Sequence, residues 1–135
     1  MIVIGDSLIK GLPKNDKYTV NCYPGIMLRQ YIETYDYLQE DEDIIIYCLG
    51  INDYNSGETK KEIIENYNKL KRGTNKTVFI IPHCFDFDFY DECSENLGDD
   101  SFFITTFIEE YETEDFLHPN CSIVTVLHEN ILSLI

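Results

Sequence analysis

At 135 residues the chain is one domain long, and with 44% hydrophobic and 13% aromatic residues it can bury a real core. Seven glycines and four prolines exclude a collagen-like chain, and the apolar content excludes a wholly disordered one. Twenty-five acidic against ten basic residues leave a net charge of −15, a surface that repels nucleic-acid phosphates and anionic lipid, so no nucleic-acid partner is expected.

In chain order, Met1–Ile4 predicts a short first strand and Tyr18–Tyr23 a weaker second one. From Gly25 onward Leu28, Tyr31, Ile32, Tyr35 and Leu38 recur at three- and four-residue steps, one apolar stripe of a helix. Residues 44–49 are continuously apolar, as in a central parallel strand covered on both faces. After Gly57, Thr59 to Glu62 fits a capping box, Ile63, Ile64, Tyr67 and Leu70 share a face, and Gly73 suits the stop. Thr77–Ile81 predicts the fourth strand, stopped by Pro82, and Ser101–Ile108 the fifth. Residues 83–100, rich in acids and aromatics, read as a loop with one short helix. A last helix is expected from an Asn120 N-cap, turning Ile123, Val124, Leu127, Ile131 and Leu134 inward. Strands alternating with helices predict a single α/β domain over 1–135 with a parallel sheet.

Met1-Ile-Val-Ile passes directly into Gly5-Asp6-Ser7, with no basic stretch followed by an apolar one as a leader would have. No apolar run approaches the roughly 18–20 residues of a membrane span. The five cysteines (22, 48, 84, 93, 121) are odd in number, irregularly spaced and without a CxxC pair, and Cys48 sits in an apolar run as a buried thiol would. The expectation is a cytoplasmic, reduced protein with no membrane insertion, no metal and no cofactor.

The unusual residues fall just past predicted strands: Gly5-Asp6-Ser7 after the first, Gly25 after the second, Gly50-Ile51-Asn52-Asp53 after the third, and Asp115 to His118 after the fifth. In an open α/β sheet those positions lie at the carboxyl ends of the strands, where such folds bind ligands. A serine, a histidine, an aspartate and an asparagine drawn to one edge suit nucleophilic acyl transfer. That chemistry needs a hydroxyl, a base for its proton, a carboxylate to orient the base, and donors for an oxyanion.

With Gly5-Asp6-Ser7-Leu8, Gly25, Gly50-Ile51-Asn52-Asp53 and Asp115-x-x-His118-Pro119 standing in that order, the chain resembles the SGNH hydrolases, the GDSL-type esterases and lipases. The resemblance covers residues 1 to about 120. It implies a flavodoxin-like three-layer α/β/α sandwich with a five-stranded, mostly parallel sheet, in a compact version. It further implies Ser7 as nucleophile, His118 as base then acid, and Asp115 orienting His118. The oxyanion donors would be the Ser7 and Gly25 backbone N–H groups and the Asn52 side-chain amide. Two features depart from the family pattern: Phe116 stands where glycine commonly follows the triad aspartate, and the interval from Asn52 to Asp115 is short.

Taken singly, these residues have plainer readings: Ser7 as a helix N-cap, Asn52 as a turn residue, Asp115 and His118 as a turn and a surface histidine. Together the four blocks outweigh them. Asp6 and Asp53 read as structural, Asp53 through hydrogen bonds to backbone N–H groups. His83 and Phe85, just past the fourth strand, are candidate substrate-binding residues, with Phe87, Phe89 and Tyr90 as further pocket wall. Asp86, Asp88 and Asp91 lack the turn glycine and closing glutamate of a calcium loop and read as a solvated acidic stretch. His128 reads as a helix-surface histidine. The function expected is hydrolysis of a small-molecule ester through an acyl-enzyme, with short acyl groups such as acetyl favoured, carbohydrate esters among them. The competing reading is a catalytically idle binding protein of the same fold, for which the short chain and Phe116 speak. A flavodoxin or receiver-like module lacks its marks here: no Ser/Thr/Gly-rich phosphate loop follows the first strand, and no lysine ends the fifth beside an acidic pocket. Oligomeric state has no signature in the sequence.

Overall fold

The computed structural model describes residues 1–35, 42–71, 76–81, 87–97, 102–105 and 121–134. Five strands, β1 (Ile2–Gly5), β2 (Thr19–Cys22), β3 (Ile44–Cys48), β4 (Lys76–Ile81) and β5 (Phe102–Thr105), form one sheet. Its order is β2-β1-β3-β4-β5 and every pairing is parallel. That is the flavodoxin-like order, whose switch point lies between β1 and β3. The helices are α1 (Leu28–Thr34), α2 (Ile51–Asn55), α3 (Lys60–Leu70), α4 (Phe87–Leu97) and α5 (Cys121–Leu132), with a 3-10 turn at Ser7–Ile9.

Period-two alternation divides the core into two clusters. Ile2, Ile4, Ile45, Tyr47, Phe79 and Ile81 face one way, against Leu28 and Tyr31 of α1, Ile63, Tyr67 and Leu70 of α3, and Phe89 of α4. Val3, Ile46, Cys48, Val78 and Ile80 face the other way, against Leu8 and Ile9 of the 3-10 turn and Leu127 and Ile131 of α5. The sheet is therefore covered on both faces, the three-layer sandwich expected. Right-handed crossovers account for the division. The chain steps one way from β1 to β2 beneath the 3-10 turn, then the opposite way from β2 through β5, so α1, α3 and α4 share the other face.

Thr59 is the N-cap of α3 as predicted: its Oγ1 accepts from Glu62 N at 3.2 Å and donates to Glu62 Oε1 at 3.0 Å. Three expectations need correction. Residues 87–97 are eleven residues of helix rather than mostly loop, because Phe89, Cys93 and Leu97 recur every fourth position and bury fully. Phe89 is accordingly core and not pocket wall, while Asp88 and Asp91 are solvated as expected. Tyr35 leaves the α1 stripe. It turns extended (φ −110°, ψ 145°) and stacks on Tyr31 and Tyr23, with ring centroids 5.3 and 4.7 Å away. His128 is half-buried rather than a free surface residue, its Nδ1 sharing a hydrogen bond with Tyr18 Oη at 2.5 Å. Leu38, Gly73, Asn120 and residues 106–108 of the expected fifth strand lie outside the described residues.

If α4 is a core helix, Phe89→Ala lowers unfolding free energy by about 3 kcal/mol or more through lost burial and the cavity left behind. Asp88→Ala, at an exposed position, stays within about 0.5 kcal/mol of wild type. Urea denaturation followed by circular dichroism measures both. Equal, small effects would return the segment to a surface loop.

Candidate active site

The carboxyl ends of three adjacent strands are level, because Gly5 of β1 pairs with Cys22 of β2 on one side and Cys48 of β3 on the other. Ser7, Gly25 and Asn52 follow those ends by two, three and four residues. Backbone bonds lock the ends together: Tyr23 N donates to Gly5 O at 2.8 Å and Asp6 N to Cys48 O at 3.2 Å.

Asp6 fixes the turn that carries Ser7. Its carboxylate is fully buried, and Oδ1 accepts from Leu8 N at 3.0 Å, capping the 3-10 turn. Asp6 is thus structural, as its place in the sequence suggested, and Ser7 follows it half-buried as the turn's first residue. Cys22, beside them, donates its thiol to Asp6 O at 3.3 Å. Burial and the Asp6 charge push its thiol up, away from the thiolate a cysteine nucleophile requires.

Gly25 occupies the left-handed region (φ 77°), a conformation that side chains resist, in an exposed turn closed by Ile26 N donating to Tyr23 O at 3.1 Å. Among the described residues, a Cβ there would meet nothing within 4 Å. Gly50 is also left-handed (φ 115°) but tightly enclosed: a Cβ would come within 2.7 Å of Tyr67 Oη, itself held by a 2.6 Å bond to Leu49 O. A glycine at 50 lets β3 turn sharply into α2 and brings Asn52 back over the sheet edge.

Asn52 Nδ2 donates to Ile26 O at 2.9 Å, joining the Gly25 turn to α2. A primary amide carries two hydrogens, so this bond orients Asn52 and leaves the other hydrogen to donate elsewhere. Asp53 makes the same junction from the interior. It is fully buried, and its oxygens accept from Leu28 N at 2.6 Å and Arg29 N at 3.2 Å. Met27, at the N-cap of α1, has no side-chain oxygen for these N–H groups, so α1 takes its cap from α2. Asp53 is structural as expected, although its acceptors' partners lie 24 and 25 residues away in sequence.

Ser7, Gly25 and Asn52 are brought to one edge at the β1/β3 switch point. Asp115, His118, His83 and Phe85 lie outside the described residues; β4 and β5 end at the same edge, at Ile81 and Thr105. Among the described residues no three His, Cys, Asp or Glu side chains gather as metal ligands would. No described helix is long and apolar enough to cross a membrane. The residue that sequence reasoning passed over is Glu58, which turns back onto Asp53, its N–H donating to Asp53 O at 3.1 Å.

Asp53→Ala strips the cap from α1 and lowers unfolding free energy by about 2 kcal/mol. Asp53→Asn, which keeps one acceptor, costs about half as much by the same reasoning. Urea midpoints of the two variants check this; a neutral Asp53→Ala would mean that α1 does not depend on the cap.

No protein-family model matches the chain, and no curated protein matches it in sequence. Solved structures do. Esterase EstA from Pseudoalteromonas sp. is 16% identical over 98% of this chain and 94% of its own, with a TM-score of 0.66. A member of the lipolytic G-D-S-L family from Veillonella parvula is 17% identical over 98% and 95%, with a TM-score of 0.72. TesA is 15% identical over 98% and 95%, with a TM-score of 0.67. At that identity the likeness is one of architecture, and it spans nearly the whole of each chain: the protein has the GDSL-type, SGNH hydrolase fold that its sequence motifs implied.

Proposed function

We propose that the protein is a cytoplasmic serine ester hydrolase acting on a small neutral ester. The observation that carries this reading is the gathering of Ser7, Gly25 and Asn52 past three adjacent parallel strands at the switch point of the sheet, with Asn52 fastened to the Gly25 turn. The esterase EstA, similar in fold, is inhibited by monoethylphosphonate, which fits an activated nucleophile on this architecture.

In this reading Ser7 Oγ attacks the ester carbonyl while His118 takes its proton, and Asp115 orients the imidazole and stabilises its charged form. The tetrahedral oxyanion is met by the Ser7 and Gly25 backbone N–H groups and by the second amide hydrogen of Asn52. The C–O bond then breaks, the alcohol leaves with the proton held on His118, and an acyl-Ser7 ester remains. Water, deprotonated by His118, attacks that ester and releases the carboxylic acid and free Ser7. That no described side chain would crowd a Cβ at Gly25 supports its part, since an oxyanion approaches a backbone N–H most closely where no side chain intervenes.

The acids point to the substrate class. Asp88 and Asp91 are exposed in the first turns of α4, soon after β4 leaves the sheet at the site's edge, and the whole chain carries −15. Such a field disfavours anionic esters, and salt screens it. A compact chain without a large insertion favours short acyl groups, with acetylated carbohydrates among the candidates and His83 and Phe85 as substrate contacts. The free thiols of Cys22, Cys48 and Cys93 suit a reducing compartment. The competing reading, an idle member of the fold used for binding, rests on Phe116 and the short chain, and it predicts no turnover at all.

Turnover of p-nitrophenyl esters tests the proposal. Ser7→Ala and His118→Ala each abolish it with the fold intact, and Asp115→Asn impairs it less. Asn52→Ala lowers kcat about 100-fold with little change in KM, because its bond to the oxyanion forms mainly in the transition state. Undiminished turnover by Ser7→Ala would falsify the mechanism, and a raised KM at unchanged kcat would make Asn52 a substrate-binding residue. Across chain lengths, kcat/KM falls from acetyl to butyryl to octanoyl esters, and neutral esters are preferred to anionic ones at low salt. An octanoyl preference would overturn the substrate class.

A further inference from the structure

Ser7 and His118, between which the proposed reaction passes its proton, come from distant parts of the chain. Among the described elements, α5 brings those parts together. Its residues Val124, Leu127, His128 and Ile131 stand at helical spacing on one face. Leu127 and Ile131 share a buried cluster with Leu8, Ile9, Leu12 and Tyr18 of the segment that leaves Ser7, and Val124 packs against that cluster. Gly11 makes the approach close: a Cβ there would stand 3.2 Å from Val124 Cγ2, so only a glycine leaves the helix this room. One turn further along α5, Tyr18 Oη and His128 Nδ1 share a hydrogen bond of 2.5 Å, with ring centroids 5.6 Å apart. Tyr18 is itself buried and tied from its own side. Asn15 Oδ1 accepts from Lys17 N at 2.8 Å and from Tyr18 N at 3.1 Å, while Asn15 Nδ2 donates to Pro13 O at 3.0 Å.

We infer that Tyr18 is a positioning residue of the proposed acyl-transfer site: its bond to His128, with the Gly11–Val124 contact, holds α5 where the helix presents His118 to Ser7. The inference rests on the hydrolase reading for its catalytic consequence, though the docked seam itself does not.

Short chain segments make the coupling tight. Ser7 stands four residues before Gly11, across turns closed by Lys10 N donating to Ser7 O at 3.2 Å and Leu12 N to Ile9 O at 3.1 Å. His118 stands three residues before Cys121, the first residue of α5, so even a fully extended link keeps the two Cα atoms within about 11 Å. A helix moves as a rigid element, so a shift at Val124 or His128 reaches its first turn. Apolar packing is non-directional and lets a helix slide over its bed, whereas a hydrogen bond fixes a distance and an angle. The Tyr18 hydroxyl therefore sets the register that the cluster alone leaves free. Proton transfer needs its heavy atoms about 2.6–3.2 Å apart, so a slide of about 1 Å is enough to impair it.

Tyr18→Phe tests this, because it keeps the ring and removes only the hydroxyl. Gly11→Cys with Val124→Cys supplies a substitute tie, since the Cβ positions are 3.9 Å apart, within disulfide range. Oxidised glutathione joins the two thiols and dithiothreitol parts them, each removed before assay. The full chain is assayed on p-nitrophenyl acetate at a temperature where circular dichroism shows every variant folded. Tyr18→Phe lowers kcat about tenfold with KM little changed. In Tyr18→Phe carrying the cysteine pair, oxidation restores that loss and reduction brings it back. Peptide mass spectrometry locates the disulfide, and failure of residues 11 and 124 to link overturns the seam whatever the activity. An unchanged kcat in folded Tyr18→Phe, a raised KM at constant kcat, or a loss that oxidation does not recover overturns the positioning role. A disulfide that forms as expected in a protein without Ser7-dependent turnover overturns the hydrolase reading and leaves the docked seam standing.

Discussion

The carboxylate of Asp53, fully buried and accepting from the first two N–H groups of α1, is the constraint on which the candidate site depends. A buried charge is tolerated where N–H donors compensate it, and here the donors are the first amides of α1, whose own N-cap is a methionine. This ties the β3–α2 corner to the β2–α1 corner across the top of β1. Ser7 leaves β1 between those corners, held by a second buried aspartate that caps its own 3-10 turn. Two acids with structural tasks thereby place a serine, a left-handed glycine and an asparagine side by side. Neither needs to touch a substrate.

The described cysteines are chemically quiet. Cys22 pairs in register with Gly5, two residues before Ser7, yet burial and Asp6 keep its thiol protonated. Cys48 and Cys93 are buried in the core, and Cys93 is pushed up to about 12. The three cysteines serve as small apolar side chains.

Much of this was legible in the sequence, for identifiable reasons. Continuous apolar runs at β3 and β4 announce strands covered on both faces, and Thr59 with Glu62 announces the start of α3, since both signals are local. The motif residues at 7, 25 and 52 were legible because each follows a strand, and parallel strands put all such positions on one edge. Asp53 was legible as a residue that binds backbone N–H groups, but not which ones: a carboxylate states its need for donors without naming a helix 24 residues away. The α4 helix was hidden because Phe89, Cys93 and Leu97 are separated by acids that dominate the composition, and the stripe is one residue wide. The Tyr18–His128 bond and the backbone bond from Glu58 to Asp53 were not legible at all. The first joins residues 110 apart, and the second depends on the left-handed turn at Gly57.

The most direct test of the central claim is the structure of the protein after reaction with a fluorophosphonate. The account predicts a phosphonyl group bonded to Ser7 Oγ, its free oxygen about 2.7–3.1 Å from the Gly25 backbone nitrogen and from Asn52 Nδ2, where oxyanion donors belong. An unmodified Ser7, or an adduct whose oxygen points away from Gly25 and Asn52, would contradict it.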